Sequence, residues 1–150
     1  MIHVRVSRLS IGFVALIAIS LFGACGTSDE VDPAIARAEN LRELGSPVLV
    51  NALEQGSTAE KVQAAIAMGR IQDGGYAEAL AAGSRDDDPA VRQAALFALG
   101  QLGLAEGSRP PKVAVEACLA ALDNDDASEL SLAVEALGKL APDDAARAIT

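Results

Sequence analysis

The chain has 150 residues and an acidic composition, with 12 Lys and Arg against 21 Asp and Glu, and it is long enough for one domain with a buried core. No cluster of Lys or Arg interrupts the negative charge, which argues against binding to a nucleic-acid phosphate backbone. The single histidine, His3, lies in the N-terminal apolar region, so the remainder has no imidazole for catalysis or for metal ligation.

The first 24 residues have the order of parts of a secretory signal. Arg5 and Arg8 supply a positively charged start, Leu9 to Ala24 form an apolar run, and small residues precede Cys25. The run is shorter than the ~20 residues that span a bilayer comfortably, which favours cleavage before Cys25 over a permanent transmembrane helix. Without Arg5 and Arg8 the balance becomes 10 basic against 21 acidic residues, a net charge near −11.

The segment from Leu21 to Cys25 resembles the lipobox of bacterial lipoproteins, although Phe22 stands where that family usually has Leu. The resemblance implies that Cys25 is lipidated and becomes the first residue of the mature protein, with residues 25–32 as a tether to the domain. Two or more acyl chains hold a protein on a membrane, because each buried methylene contributes ~0.8 kcal/mol. Gly26 replaces the Asp that retains enterobacterial lipoproteins in the inner membrane, which favours the outer membrane. The alternatives are an uncleaved helical anchor, and ordinary cleavage with Cys25 as a chance residue.

Helix is predicted throughout residues 33–150, because this region is rich in Ala, Leu and Glu and has almost no β-branched alternation. Apolar periodicity, capping residues and Gly or Pro breaks predict these elements in chain order: helices Pro33–Leu44, Pro47–Gln55, 60–71, Gly75–Gly83 and 91–102, a loop from Gly103 to Pro111, and helices Pro110–Leu122, 129–140 and Pro142–Ile149. Short breaks between consecutive helices predict about four antiparallel helix pairs.

Three of the predicted helices, residues 60–71, 91–102 and 129–140, are near-copies of one another. Each copy places Ala, then Leu or Met, then Gly, then Leu or Ile in the same register, and the glycines recur after 31 and 38 residues. The middle copy has its apolar residues on one helix face, at Val91, Ala94, Ala95, Ala98, Leu99 and Leu102. A helix with such a face needs a neighbour to cover it, so repeated packing is predicted.

The middle copy is similar to the short HEAT-like repeat of bilin lyases and many bacterial proteins. The residues that match its consensus are Asp88, Pro89, Val91, Arg92, Ala94, Ala95, Ala98, Leu99, Gly100 and Leu102. The resemblance implies an all-α, right-handed superhelical solenoid covering residues 33–150, stabilised by burial between neighbouring repeats. The other copies have Glu60-Lys61 and Glu129-Leu130 in place of the Val-Arg pair, which disturbs the polar ladder that Asp and Arg would build between repeats.

Two acidic clusters, residues 86–88 and 123–126, have the carboxylate density that Ca²⁺ sites use. The second cluster begins like an EF-hand loop, but Ser128 replaces the required Gly and no Glu follows at the twelfth position. Each cluster directly precedes a repeat helix, so helix capping is the simpler interpretation and a metal site is the alternative. We predict no cofactor.

Three single residues that could carry chemistry are predicted to be structural. Cys118 lies among apolar residues at helical spacing, which predicts a small buried hydrophobe. Arg92 is expected to pair with a neighbouring Asp and to organise the stack. Tyr76 is expected to pack on the second helix of its pair. With no imidazole and no phosphate-binding loop in the domain, no catalytic residue is predicted.

The sequence therefore predicts a non-enzymatic scaffold that binds an unidentified protein partner in the bacterial cell envelope and is held at the membrane by the lipid on Cys25. No small-molecule substrate is evident. The second hypothesis is a structural or assembly subunit of an envelope complex. The third is an enzyme subunit related to the bilin lyases, against which export and the absence of a thiol other than Cys118 argue.

Overall fold

The computed structural model describes residues 31–105 and 109–140, and all regular secondary structure in these ranges is helical. The helices are α1 (Pro33–Asn40), α2 (Pro47–Gln55), α3 (Thr58–Ile71), α4 (Ala77–Gly83), α5 (Pro89–Leu102), α6 (Lys112–Ala120) and α7 (Ala127–Leu140). A 3₁₀ turn, Gly74–Tyr76, leads into α4, and another, Ala121–Asp123, follows α6. The predicted signal, Cys25 and the predicted helix Pro142–Ile149 lie outside the described residues.

The helices form two layers. In one layer α1, α3, α5 and α7 lie side by side in chain order, and in the other α2, α4 and α6 do the same. Across the layers, α2 packs closely against α3, α4 against α5 and α6 against α7. Repetition of one helical unit in a row is the architecture of an α-solenoid, which confirms the predicted fold class. In the part of the chain that the structure describes, no helix is long and apolar enough to cross a membrane.

Side chains that precede α1, α3, α5 and α7 accept hydrogen bonds from the free N–H groups of the first turns of these helices. Asp88 caps α5, where its Oδ1 lies 2.9 Å from the N–H nitrogen of Ala90. Asp126 accepts from the backbone of Ser128 and Glu129 at the start of α7. Both predicted acidic clusters thus supply a helix cap.

The predicted first helix is too long, because α1 ends at Asn40 and residues 41–45 reverse the chain. Arg42 and Gly45 have positive φ angles of 48° and 60°, which lie in the left-handed region and outside the conformation of a right-handed α-helix. Two hydrogen bonds to residues of the next repeat stabilise this turn. Arg42 Nη2 donates to the carbonyl of Ile71 at 3.1 Å, and the Gly45 N–H donates to Asp73 at 2.8 Å. Tertiary contacts at this point outweigh local helix propensity.

The core runs continuously along the stack between the two layers. In α5 the predicted apolar face is buried except for the half-buried Ala94, and Leu96 and Gly100 are buried as well. These two additional residues are covered because α5 has neighbours on both sides, α3 and α7. The largest fully buried apolar side chains are Ile35, Leu49, Met68, Tyr76, Leu80, Leu96, Leu99, Leu137 and Leu140.

Candidate protein-binding surface

A polar ladder, formed by Lys61, Asp86, Arg92 and Glu129, links successive repeats along the stack. At the first rung Lys61 Nζ on α3 lies 2.7 Å from Asp86 Oδ2 in the connection between α4 and α5. The ladder is therefore present although Lys replaces Arg in the first copy, because an ammonium group also reaches the carboxylate.

The second rung joins α5 to α7. Arg92 Nη2 lies 2.8 Å and Nε 2.9 Å from Glu129 Oε1, and Asn124 donates to the second oxygen of the same carboxylate. Arg92 Nη1 also donates to the backbone carbonyls of Asp86 and Asp87, each at 2.9 Å. The prediction that Arg92 pairs with a neighbouring Asp was wrong. The carboxylate that binds Arg92 is that of Glu129, and Asp86 and Asp87 accept from Arg92 through their backbone carbonyls.

Contacts within the polar ladder shift the pKa values of Asp86 and Arg92. The Lys61 ammonium and the Asp88 N–H both donate to Asp86 and lower the pKa of that carboxyl. The hydrogen bond to Glu129 raises the pKa of the Arg92 guanidinium, so the charged form of each group is favoured. These charges stabilise one another and hold the spacing of the repeats.

Sequence reasoning did not identify Glu129 as the partner of Arg92. Glu129 occupies the register position that the fully buried Val91 has in the middle copy, and it is itself only 1% exposed. A carboxylate directed inwards needs a cation, and Arg92 in the preceding copy supplies one. The equivalent residue of the first copy, Glu60, instead accepts hydrogen bonds from Ser57 at the start of α3, so the register position alone does not predict the pair.

An open groove lies beside the second rung, between the α4–α5 connection and the segment that joins α6 to α7. Its volume is about 520 Å³. The residues that line it are Ser84, Arg85, Arg92, Ala117, Ala120, Ala121, Asp123, Asn124, Asp125 and Glu129. Arg85, Asp123 and Asp125 are exposed at its surface, so the groove presents charges of both signs next to small apolar side chains. Such a surface suits a polypeptide segment with mixed charge.

A second polar cluster fixes the turn between α1 and α2. Tyr76 is fully buried, accepts a hydrogen bond from the Ser46 N–H at 2.9 Å and donates to the carbonyl of Glu43. Burial raises the pKa of Tyr76, so its hydroxyl stays protonated and available as a donor. Tyr76 packs in the core as predicted, but it lies in the 3₁₀ turn before α4 and not on that helix, and it makes the two hydrogen bonds in addition.

Among the described residues, Cys118 is a free cysteine. Cys118 is fully buried, as predicted, and burial raises the pKa of its thiol to about 12. Within residues 31–105 and 109–140, no group of three or more His, Cys, Asp or Glu side chains is placed to hold a metal ion. The predicted lipid-attachment residue, Cys25, lies outside the described residues.

Comparison with known protein families gives a match that covers α3, α5 and most of α7. A family model described as HEAT repeats matches residues 46–137, which is more than half of the chain. The chain belongs to the HEAT-repeat family. The match begins just before α2 and ends within α7, so it includes the polar ladder and the groove. No curated protein matches this HEAT-repeat chain. HEAT repeats establish the architecture, and the function has to be argued from the surface.

Proposed function

We propose that this HEAT-repeat protein is a non-enzymatic scaffold that binds another protein through the groove beside Arg92 and Glu129. The observation that carries the proposal is the groove itself, which places exposed Arg85 and Asp123 on a surface fixed by the polar ladder. A rigid surface loses little conformational entropy on binding, and charges of both signs select a complementary partner.

The chemistry of the described residues supports binding over turnover. The carboxylates of Asp86 and Glu129 each bind a cationic side chain, Lys61 and Arg92 respectively. The Cys118 thiol has a pKa of about 12, which keeps it protonated and a poor nucleophile at neutral pH. A scaffold needs only the shape and charge of its surface, and the groove supplies both.

We also propose that the scaffold is anchored in the bacterial cell envelope by a lipid on Cys25, on the resemblance of Leu21 to Cys25 to a lipobox. The anchor would confine the groove to the neighbourhood of a membrane, where its partner would have to be found. Mass spectrometry of the N-terminal peptide from purified membranes tests this part. A peptide that begins at an acylated Cys25 supports it, and an intact segment 1–24 contradicts it.

The groove is tested by affinity capture of the full chain from detergent-solubilised membranes of its own host. A stoichiometric protein partner is expected with the unchanged chain. The double variant Arg85→Glu and Asp123→Lys reverses two of the three exposed charges of the groove without changing a residue of the polar ladder, and it should lose that partner. A matched control reverses Arg37 and Glu54, which are exposed outside the groove, and should retain it.

The outcomes separate the parts of the proposal. Capture of no partner by the unchanged chain contradicts the scaffold function. Equal capture by the groove variant and by the control shows that the partner binds elsewhere on the stack and contradicts the assignment of the groove. Melting curves of both variants establish that any loss of binding is not a loss of fold.

A further inference from the structure

The first helix pair, α1 and α2, exposes several apolar side chains. Among the described residues no helix precedes this pair, so one of its sides is not packed against another repeat. Half of the large apolar side chains that are exposed in the described residues lie on the pair or directly beside it, and an exposed arginine lies next to them on α1. These residues, the N-terminal patch, are Val31 (51% exposed), Arg37, Leu41 (60%), Leu44 (73%) and Val48 (40%).

An open groove between α1 and α2 extends the patch on the side of Val48. Its volume is about 370 Å³, and Ile35 and Ala52 supply apolar lining beside Val48. The other lining residues are Asp32, Asn51, Gln55, Gly56 and Glu60. Asp32 caps α1 and Glu60 belongs to the capping box of α3, so both carboxylates of the groove are already hydrogen-bonded.

The exposed charges of α1, its cap and the following turn are positive. The exposed charged side chains in this segment are those of Arg37 and Arg42, whereas Asp32, Glu39 and Glu43 are half-buried. These three carboxylates accept hydrogen bonds from the backbone of α1, from an arginine of α3 and from a hydroxyl of the α1–α2 turn, respectively. No exposed carboxylate therefore lies within this segment of the described chain.

Beyond Val48 the exposed surface of the described residues is acidic. The exposed carboxylates there are those of Glu54, Glu78, Asp87, Glu116, Asp123, Asp125, Asp126 and Glu135, and the exposed cations are those of Arg70, Arg85, Arg109 and Lys112. Glu54 on α2 lines a different groove, together with residues of α4. An anionic lipid surface attracts the cations of the first helix pair and repels the acidic remainder, which favours contact through the N-terminal patch.

The segment between the proposed lipid and the domain is short. Cys25 precedes Val31 by six residues, which span at most about 22 Å when fully extended. The Asp32 N–H donates to Gln63 Oε1 on α3 at 3.1 Å, so the start of the domain is fixed to the stack. If Cys25 carries the proposed lipid, the surface of the bilayer is within reach of the N-terminal patch.

We propose that the N-terminal patch docks on the lipid bilayer, with its apolar side chains at the boundary between headgroups and acyl chains and Arg37 beside lipid phosphates. The proposal rests on the membrane anchor proposed above, because the anchor keeps a weakly binding patch at a high local concentration of lipid. The groove beside Arg92 and Glu129 lies between later helices of the stack, so docking of the first pair leaves it uncovered. The membrane thus orients the scaffold as well as holding it.

Fluorescence quenching in vesicles tests the docking with the full, anchored chain. Val48→Cys on α2 and Val134→Cys on α7 are matched positions, since each valine is 40% exposed, and each variant is labelled with bimane. The unchanged chain, treated alike, corrects for labelling of Cys25 and Cys118. The vesicles contain phosphatidylethanolamine, phosphatidylglycerol and a lipid with a nitroxide high on its acyl chain. Quenching of the label on Val48→Cys should exceed that on Val134→Cys about threefold or more.

Charged substitutions in the patch supply a second measurement. Leu41→Glu and Leu44→Glu together, in the labelled Val48→Cys chain, should reduce the quenching about threefold, to the level of the label on α7. Leu104→Glu and Leu130→Glu together add the same charge at exposed leucines outside the patch and should leave the quenching unchanged. Melting curves of both variants establish that they are folded. Quenching that is the same in both variants overturns the proposal.

Flotation of the vesicles separates docking from anchoring. A chain that floats with the vesicles but has equal quenching at the two labelled positions overturns the docking and leaves the anchor standing. A blue-shifted emission from the label on Val48→Cys without quenching means that protein covers the patch, which also overturns the lipid assignment. A chain that does not float contradicts the anchor and the docking together, while partner capture through the groove still tests the scaffold.

Discussion

The guanidinium of Arg92 on α5 binds the carboxylate of Glu129 on α7 across 37 positions of sequence, with Nη2 2.8 Å from Oε1. Glu129 is 1% exposed at its side chain and Arg92 is 25% exposed, so the pair lies at the edge of the core. All polar atoms of the Glu129 carboxylate have partners, because Asn124 binds the other oxygen. This pair fixes the register between two neighbouring repeats.

Removing the cation of this pair should destabilise the stack. Arg92→Met keeps most of the aliphatic side chain and leaves the Glu129 carboxylate without its counter-ion. We expect a loss of about 2–3 kcal/mol in the free energy of unfolding, below the value for a fully buried pair because Arg92 retains contact with water. Urea unfolding followed by circular dichroism measures it.

The double variant Arg92→Met and Glu129→Leu separates the pair from packing. Because no buried charge is left unpaired, the double variant should recover at least half of the loss caused by Arg92→Met. A double variant that is less stable than Arg92→Met alone would mean that the carboxylate has a role other than pairing with Arg92.

The hydroxyl of Tyr76 connects the second repeat to the α1–α2 turn, and its removal should loosen that turn. Tyr76→Phe keeps the ring in the core but leaves the Ser46 N–H and the Glu43 carbonyl without their partner. Ser46 is only 2% exposed, so water replaces the hydroxyl poorly and about 1–3 kcal/mol of stability should be lost. Hydrogen exchange should speed up at the Ser46 amide more than in α5, and an unchanged rate at Ser46 would contradict the assigned contact.

Because Cys118 is buried, its thiol should be unreactive in the folded protein. The stability of the protein at alkaline pH should also depend on this thiol. With a pKa of about 12, the thiolate fraction of the native thiol at pH 8 is on the order of 10⁻⁴, so a disulfide reagent should modify it only after unfolding. A raised pKa stabilises the fold fully below the unfolded value of 9.0, and this contribution is lost as the pH rises through the interval up to about 12.

The alkaline effect can be isolated by comparison with Cys118→Ala. Between pH 8 and pH 10.5 the stability of the unchanged chain should fall more steeply than that of the variant, since other titrating groups are common to both. Parallel curves, or labelling of Cys118 in the folded protein, would show that the thiol is accessible to water.

The sequence predicted the helices of the repeats because their determinants are local. Asp88 before Pro89, the apolar face of α5 and the recurrent glycines all depend on residues within a few turns of one another. The fold class followed from the three near-copies, since one uncovered apolar face that recurs in register requires stacking. The HEAT-repeat family match agrees with this interpretation.

The features that sequence reasoning missed depend on contacts between repeats. The end of α1 at Asn40 is imposed by Ile71 and Asp73 of the next repeat, which bind the turn. The partner of Arg92 is Glu129, and no local pattern joins residues so far apart in sequence. The groove likewise exists only once two inter-helix connections lie side by side, so its lining could not be predicted from spacing.

The most direct test of the repeated stack, and of its outer face at α7, compares the same substitution at two equivalent glycines. Gly100→Ala places a methyl group 2.9 Å from the Cα of Ala136 and should lower the free energy of unfolding by about 1–2 kcal/mol, because neither backbone can yield. Gly138→Ala meets nothing within 4 Å and should raise the free energy of unfolding by about 0.5–1 kcal/mol, because Ala favours the helix more than Gly. Urea unfolding of both variants should give shifts of opposite sign, and equal shifts would contradict the stack.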